Sequence, residues 1–345
     1  MTVPDRLWGE ITLDEPVLEE LARSGPVQRL RGIHQSGASY YLFPDRKPST
    51  RYEHSLGVMH LLRLLGASLE ERVAGLLHDV PHTAFSHTAD VLFPNEEHNF
   101  HERFQHEIVM GSDVPAILER QGLPLRAGLE PEAYTLLEKP LPGLCADRLD
   151  YALRDSVTAK LATVEEARAF ADTLRVHDGE IVVGDLGAAE WFGRLYAVAN
   201  AELWSAPSEA GSYWALAGAI RRAYDIGGFT DADLFSTDDE AMSKLRALDD
   251  PKVEAYLALL VPGTEFIVVG EGEPHFKTAM KYRRVDPPVL ESSRDTPVPL
   301  SSLSEEHADY LRSGPSGETV RYRLWSPSIT MDMAWLLDLA VRPRI

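Results

Sequence analysis

Helical spacing of apolar residues dominates the first three quarters of the chain. Apolar positions recur three or four residues apart up to about residue 260, which is typical of helices that bury one face. The predicted helices lie at about 16–25, 50–66, 68–79, 98–111, 144–155, 163–174, 186–205 and 208–224. Thr50 can cap the second of these, and Ser68 and Thr163 are each followed three residues later by a glutamate, the spacing of a capping box. The pattern predicts a mainly α fold.

Two segments depart from this pattern. In residues 175–184, Asp178-Gly179 stands between β-branched runs, which predicts a small β-hairpin lying as a flap on the helical body. From about residue 262, proline, glycine, serine and short alternating runs replace the helical spacing. We therefore predict a helical domain over residues 1–261 and a small α+β appendage over residues 262–345.

Charge and composition narrow the possible partners. The formal net charge is −20 and no basic run with interleaved aromatic residues occurs, which argues against duplex nucleic acid. A small anionic substrate stays compatible, because a bound metal ion can dominate the local field. Cys145 is the only cysteine, which excludes an internal disulfide and a zinc site built from thiolates. Without an apolar leader or a run of about 18 apolar residues, we expect a cytoplasmic protein with no membrane partner.

Histidines are concentrated in one part of the chain. Eight of the twelve lie within 53 residues: His54, His60, His78, His82, His87, His98, His101 and His106. Taken singly, His60, His98 and His106 are best explained as ordinary core or surface residues. The group as a whole is not, because His78-Asp79 follows the apolar run VAGLL, where two ionisable groups are costly without a partner. A metal ion is the simplest such partner.

Helical spacing aligns further polar residues. Arg51 and His54 are three residues apart and share a helix face. Asp147, Tyr151 and Asp155 recur every four positions and form one polar stripe, which suggests the wall of a site. Without the histidines, a solvated helix face would explain that stripe equally well. On another face of the same helix, Asp150 and Arg154 can form an ion pair.

Two imidazoles and two carboxylates make a candidate metal site. We predict that His54, His78, Asp79 and Asp147 hold one divalent transition-metal ion. Mixed nitrogen and oxygen ligands suit Mn, Fe, Co, Ni or Zn better than Ca or Mg, which prefer oxygen alone. Four protein ligands on an octahedral ion leave two positions for water and a substrate oxygen. The bound water then has a lowered pKa and can attack phosphorus at neutral pH.

The order His54, His78-Asp79, Asp147 resembles the H…HD…D signature of the HD-domain superfamily. The flanking blocks are similar to the deoxynucleotide triphosphohydrolase branch, which includes the sterile-alpha-motif HD-domain enzyme; they read QRLRGIHQSGASYYLFP, RYEHSLGV, GLLHDVPHTAFSHTAD and ADRLDYALRD. Together these blocks cover roughly residues 26–160. The resemblance implies an HD-domain helical bundle and the same four metal ligands.

The resemblance also implies catalytic roles. Arg51 matches a phosphate contact, and an arginine offers a planar fork for two phosphate oxygens. His82 and His87, with Asp90 orienting, match residues that contact phosphate and shuttle a proton, for which an ordinary histidine pKa near 6.5 is suitable. His101 resembles a further catalytic histidine, although His98 and His106 lie near enough to be alternatives.

Substrate binding is implied at four more positions. Gln35, Tyr151 and Asp155 match residues that hold the sugar. Arg148 adjoins Asp147 and is the nearest candidate for binding an outer phosphate. Because many relatives oligomerise, the resemblance also implies a homo-oligomer.

The chain departs from the family pattern in two places. Pro81 replaces the usual glycine, which stiffens the turn between Asp79 and His82 but leaves both able to point inward. Residues 195–220 contain no lysine or arginine, whereas triphosphate-specific relatives carry a basic cluster there. Outer phosphates without cationic partners forfeit charge-assisted hydrogen bonds of about 1.5 to 3 kcal/mol each. We therefore expect esters with one phosphate to be cleaved at least as well as deoxynucleoside triphosphates.

Four functions are compatible with these observations. The first is a metal-dependent phosphohydrolase acting on a phosphate ester of a nucleotide or a similar small molecule. The alternatives are a deoxynucleoside triphosphate triphosphohydrolase, a non-catalytic nucleotide-sensing module, and a di-metal oxygenase with the extra histidines on a second iron. The full set of ligands with Arg51, His82, His87 and Asp90 favours catalysis over sensing.

Overall fold

The computed structural model describes residues 1–93, 100–270, 274–279, 283–313 and 319–325. Its helices are α1 (Pro16–Ala22), α2 (Gly25–Arg29), α3 (Arg51–Leu64), α4 (Leu69–Leu77), α5 (Thr88–Leu92), α6 (Gln105–Met110), α7 (Val114–Arg120), α8 (Arg126–Leu129), α9 (Ala146–Thr158), α10 (Val164–Ala171), α11 (Leu186–Ala199), α12 (Pro207–Asp225), α13 (Asp231–Leu234), α14 (Asp238–Arg246), α15 (Pro251–Leu257) and α16 (Glu305–Ser313). The mainly α prediction is confirmed. Within the described ranges, no helix has both the length and the apolar character needed to cross a membrane.

Within the described ranges, the strands are short and form three small sheets. They are β1 (Thr2–Asp5), β2 (Gly9–Thr12), β3 (Leu174–His177), β4 (Glu180–Val183), β5 (Glu265–Val268), β6 (Phe276–Ala279), β7 (Pro288–Val289), β8 (Val298–Pro299) and β9 (Thr319–Trp325). The sheet orders are β1-β2, β3-β4-β7-β8 and β5-β9-β6. The predicted hairpin is β3-β4, whose turn residues Asp178 and Gly179 adopt positive φ angles of 49° and 77°.

Side-chain caps explain where α3, α4 and α10 begin. Thr50 accepts a hydrogen bond from the backbone of Glu53, whose carboxylate accepts in return from the Thr50 backbone N–H at 2.7 Å. Thr163 caps α10 in the same way. At Ser68 only half of the predicted box forms, because the Glu71 carboxylate instead accepts from two backbone N–H groups of the 136–137 segment, at 2.9 and 3.2 Å. Glu71 therefore fixes that loop against α4.

Helices α3, α4 and α9 pack together at the centre of the bundle. Apolar residues of all three are fully buried there, among them Val58, Ala74 and Leu149. Gly57 allows α9 to approach α3, since a Cβ at that position would lie 2.1 Å from Oδ1 of Asp150. The close approach places polar residues of α3 and α9 side by side.

Residues beyond 261 pack into the helical body at two places. Strand β7 pairs in parallel with β4, with Val289 opposite Val183. Phe276 stacks on Trp214 of α12, with ring centroids 4.6 Å apart, and Phe266 joins the same core. The division at residue 261 stays a prediction. The segment after it contributes Phe266 and Phe276 to the core around α12 and Val289 to the core around α3, α4 and α9.

Candidate functional site

The four predicted metal ligands meet at one point. His54 comes from the first turn of α3, His78-Asp79 directly follows α4, and Asp147 lies in the first turn of α9. Nε2 of His54 lies 2.9 Å from Oδ1 of Asp147, and Nε2 of His78 lies 3.5 Å from the same oxygen. Nε2 of His78 is also 3.5 Å from Oδ1 of Asp79. Side chains from three helices thus converge within the reach of one ion.

The protonation pattern of His78 fits a divalent cation. Nδ1 of His78 lies 2.8 Å from the carbonyl oxygen of Gly75, which can only accept, so Nδ1 carries the proton. Nε2 then presents a lone pair towards two carboxylates, and it is buried without a hydrogen bond among the described residues. Burial lowers the pKa of His78, but Asp79 and Asp147 raise it above its usual value, so these oxygens favour a cation at Nε2, which either a proton or a metal ion can supply. The donor set therefore fits a divalent transition-metal ion.

Asp150 holds His54 from behind. Oδ2 of Asp150 lies 2.8 Å from Nδ1 of His54, and the carboxylate also accepts from Arg154 at 2.8 and 3.0 Å and from Nε1 of Trp8 at 2.7 Å. Although burial alone lowers the pKa of His54, its bonds to Asp147 and Asp150 raise that pKa to about 10. A carboxylate on the far nitrogen of a ligating histidine fixes its tautomer and orientation. The predicted Asp150–Arg154 pair is present. The contact by which Asp150 orients His54 is a second role, which the sequence did not indicate.

Arg51 contacts a predicted ligand directly. Its Nη1 donates to Oδ2 of Asp79 at 2.7 Å and its Nε donates to Oγ of Ser86 at 2.8 Å. Burial alone would raise the pKa of Asp79, but the Arg51 guanidinium and neighbouring histidines hold it well below the usual value. Arg51 thus positions Asp79, and its Nη2 forms no hydrogen bond in the described part of the chain.

A cleft of about 1300 Å³ opens beside this centre. The predicted site residues whose side chains the structure describes all line it: Gln35, Arg51, His54, His78, Asp79, His82, His87, Asp90, Asp147, Arg148, Tyr151 and Asp155. The cleft is large enough for a nucleotide-sized ligand. The polar stripe on α9 faces it, so a site wall explains the stripe better than a solvated helix face does.

His82 and His87 lie side by side at the cleft, with ring centroids 5.2 Å apart. Nδ1 of His87 lies 3.0 Å from Oδ2 of Asp90, and the carboxylate can only accept, so Nδ1–H points at Asp90 and Nε2 points away from it. His87 is about two fifths exposed, whereas His82 is buried with Nε2 3.3 Å from Oδ1 of Asp79. His87 has the geometry of a proton carrier, and His82 supports a ligand.

The three candidates for a further catalytic histidine fare differently. His101 belongs to the 3₁₀ turn Phe100–Phe104, but its side chain lies outside the described residues, as does all of His98. His106 is exposed on α6 and is not among the described residues that line the cleft. A catalytic role for His101 stays a prediction.

The wall predicted to hold the sugar is built from paired side chains. The hydroxyl of Tyr151 lies 2.7 Å from that of Tyr196, and Oδ2 of Asp155 accepts from Nε1 of Trp204 at 2.9 Å. Trp204 lies in a π-helical turn, Asn200–Trp204, that continues α11. Across the cleft, Oε1 of Gln35 is buried without a hydrogen bond among the described residues. It is therefore an acceptor left for a ligand.

The cleft also contains positively charged side chains from outside residues 195–220, which the sequence did not indicate. Residues 195–220 do face it with acidic and aromatic side chains, but Arg46, Lys139, Lys277 and Arg283 also line it. These residues come from three distant segments of the chain. Residues 195–220 thus supply no cation, but other segments of the chain do, and the expectation that esters with one phosphate are cleaved at least as well as triphosphates stays a prediction.

The sequence did not indicate two half-buried acids at the cleft, Glu138 and Glu209. Burial and the nearby Asp147 raise the pKa of Glu138 to about 8, and burial raises that of Glu209 to about 7. Burial likewise raises the pKa of the Cys145 thiol to about 12, which keeps it protonated beside Asp147. No periodic spacing or motif in the sequence marks these positions.

Comparisons with known proteins agree with this site. The model of the HD domain family matches residues 51–151, which contain all four predicted ligands. The chain is 39% identical to uncharacterized protein YdhJ of Bacillus subtilis, over 84% of this chain and 89% of that protein. It is 34% identical to the metal-dependent phosphohydrolase cns2 of Cordyceps militaris, over 87% and 88% of the two chains.

More distant matches extend the comparison. SAMHD1 of Xenopus laevis, a deoxynucleoside triphosphate triphosphohydrolase, is 38% identical over 104 residues, which are 26% of this chain and 16% of that protein. A crystal structure of a hypothetical protein from Aquifex aeolicus superposes with a TM-score of 0.67 at 21% identity, covering 94% of this chain and 96% of that one. The overall fold is therefore shared beyond the matched domain.

Proposed function

Because the chain belongs to the HD-domain family of metal-dependent phosphohydrolases, we propose that it hydrolyses a phosphate ester of a nucleotide or a similar small molecule. The observation that carries this proposal is the convergence of His54, His78, Asp79 and Asp147 at the base of a nucleotide-sized cleft. A divalent ion bound by these four supplies a water of lowered pKa and neutralises charge on the phosphoryl oxygens.

The remaining site residues have separate tasks. Arg51 donates from Nη1 to Asp79 and from Nε to Ser86, which leaves Nη2 for a phosphate oxygen. His87, oriented by Asp90, transfers a proton from Nε2 to the leaving alkoxide. The Tyr151 hydroxyl and the Asp155 carboxylate hold the alcohol portion of the ester at the opposite wall.

A deoxynucleoside triphosphate triphosphohydrolase is the second candidate. It is favoured by the similarity to SAMHD1 over the region that contains the metal centre, and by the cations that reach the cleft. The two candidates differ in their products, since one releases inorganic phosphate from a monoester and the other releases intact triphosphate.

The decisive experiment is a substrate panel. Nucleoside mono-, di- and triphosphates and model esters are incubated with Mn, Fe, Co, Ni or Mg, and phosphate and triphosphate are quantified separately. We expect hydrolysis that requires a transition-metal ion. Triphosphate as the main product, with a preference of a hundredfold or more for deoxynucleoside triphosphates, would favour the second candidate. No hydrolysis under any of these conditions would contradict the proposal and favour a nucleotide-sensing role.

His87→Ala is expected to keep the metal ion and to slow turnover by about 10²- to 10⁴-fold, the usual contribution of a general acid. The ring lies against Asp90 and forms no ion pair with the four predicted ligands in the described part of the chain, so its removal should leave the predicted metal centre intact. Turnover and metal content are measured on the same preparation. His106→Ala, on the exposed face of α6, is the matched control. Loss of the metal in His87→Ala would show that this histidine is a ligand.

A further inference from the structure

Arg283 is a cleft arginine whose guanidinium has no polar partner among the described residues, whereas the guanidinium of Arg46 lies over the Phe43 ring. Arg51 is bonded to Asp79, Arg148 donates to the carbonyl oxygen of Gly143 at 2.5 Å, and Lys139 forms an ion pair with Glu180 at 2.5 Å. The guanidinium of Arg283 lines the same cleft, yet it forms no ion pair or side-chain hydrogen bond in the part of the chain that the structure describes. A half-buried arginine in that position is suited to an anion from outside the protein.

The fold fixes Arg283 beside the substrate wall. Its backbone N–H donates to Oδ1 of Asn200 at 3.1 Å. Burial raises the pKa of Tyr151, Tyr196 and Glu209, and the positive charge of Arg283 partly offsets that increase at each of them. The guanidinium therefore lies within electrostatic reach of all three side chains, and these line the cleft or contact a residue that does.

The position of Arg283 beside α9 suits a second anionic group. Its charge acts on Tyr151, which is four residues beyond the predicted ligand Asp147, a rise of about 6 Å along the helix. Among the described residues, Arg283 forms no ion pair or hydrogen bond with any of the four predicted ligands, so it is placed to meet a group of the substrate other than the one held beside them.

The segment that carries Arg283 is anchored to the body on both sides of the cleft. Three residues later, the backbone N–H of Asp286 donates to the carbonyl oxygen of Pro142 at 2.9 Å, beside the cleft-lining segment 138–141. Val285 is fully buried, and its carbonyl oxygen lies 3.0 Å from Nε2 of His307. The backbone of Arg283 is thus held in place by the fold.

We propose that Arg283 binds a second phosphate group of the substrate, so that the region after residue 261 completes the substrate site. This inference rests on the proposed function for the first phosphate. A planar guanidinium can donate two parallel hydrogen bonds to a phosphate, which a lysine cannot do. With a formal net charge of −20, the protein needs such local cations to hold a doubly phosphorylated substrate.

The test compares ligands that differ only in their second phosphate. The ligands are an adenosine 5′-monophosphate, the 5′-diphosphate and the 3′,5′-bisphosphate, and their dissociation constants are measured by calorimetry. The metal-loaded His87→Ala protein is used to limit turnover, with and without Arg283→Gln. We expect Arg283→Gln to weaken at least one of the doubly phosphorylated ligands by about 10- to 100-fold and the monophosphate by less than about 3-fold.

The matched control is Arg284→Gln in the same background, because the side chain of Arg284 lies against Tyr310 and Leu311 and does not line the cleft among the described residues. It should change none of the three constants by more than about 3-fold. Selective weakening of the diphosphate places the second phosphate next to the first, and selective weakening of the bisphosphate places it across the sugar.

Equal weakening of all three ligands by Arg283→Gln, or no weakening of any, would overturn the inference. Its failure is distinct from failure of the proposed function. Selective loss of affinity in a protein that hydrolyses none of the panel substrates would support the binding site and contradict the hydrolase.

Discussion

His78→Ala and Asp147→Ala are each expected to lose the metal ion and at least about 10³-fold in turnover. Nε2 of His78 and Oδ1 of Asp147 lie 3.5 Å apart at the point where three helices converge, and each is one of four donors. Removal of either leaves an incomplete coordination sphere whose remaining donors bind far less tightly. The ion provides several kcal/mol of transition-state stabilisation, which sets the size of the loss.

Metal content by elemental analysis and turnover on the same samples test this expectation. The unmodified protein should contain close to one transition-metal ion per chain, and His106→Ala is the matched control because that histidine is exposed on α6. Full occupancy in either ligand variant would contradict the assigned metal centre. A value near two irons per chain would instead favour the di-metal oxygenase.

Asp150→Ala is expected to lower the free energy of unfolding by about 3 kcal/mol or more. The Asp150 carboxylate is fully buried and accepts from Arg154, His54 and Trp8. Its removal leaves the buried Arg154 with only Asp5, at 2.9 Å, and strips acceptors from two other donors. Breaking a buried ion pair by deleting one partner typically costs about 3 to 5 kcal/mol. Denaturant unfolding of the metal-free protein measures the change.

Asp150→Asn separates the stability of this network from its effect on the metal. An amide nitrogen in place of one carboxylate oxygen turns an acceptor into a donor, which favours the wrong tautomer of His54. A disturbed partner of a ligating histidine typically costs about 10- to 100-fold in metal affinity. Asp178→Asn, in the exposed hairpin turn, is the matched control. Unchanged metal affinity in Asp150→Asn would show that Asp150 serves stability alone.

The candidate metal centre could be predicted from the sequence because local patterns indicate its residues. Thr50 and Glu53 start α3 with a capping box that places His54 in its first turn, and the apolar run of α4 delivers His78-Asp79 at its end. Helical spacing then aligned Tyr151 and Asp155 with Asp147. Each of these inferences needs only neighbours in the chain, and a motif that recurs in a family preserves such neighbours in order.

Contacts between segments that are distant in the chain could not be predicted from such local patterns. Ser68 and Glu71 have the spacing of a capping box, but Glu71 binds the backbone of residues 136–137 instead. Nothing near Asp150 in sequence indicates that it faces His54, 96 residues earlier in the chain. These hydrogen bonds depend on how the helices pack against one another, and the local spacing of residues does not predict that packing.

The sequence by itself was enough to predict the mainly α fold and the hairpin, both confirmed, and to nominate four candidate metal ligands, because each arises from periodicity, caps or an ordered motif. Only the tertiary structure decided the charge of the cleft. Residues 195–220 contain no lysine or arginine, but Lys139, Lys277 and Arg283, from other segments of the chain, line the same cleft. The field at a binding site depends on distance in space, and a cation far away in sequence acts as strongly as a neighbour once the fold has brought it close.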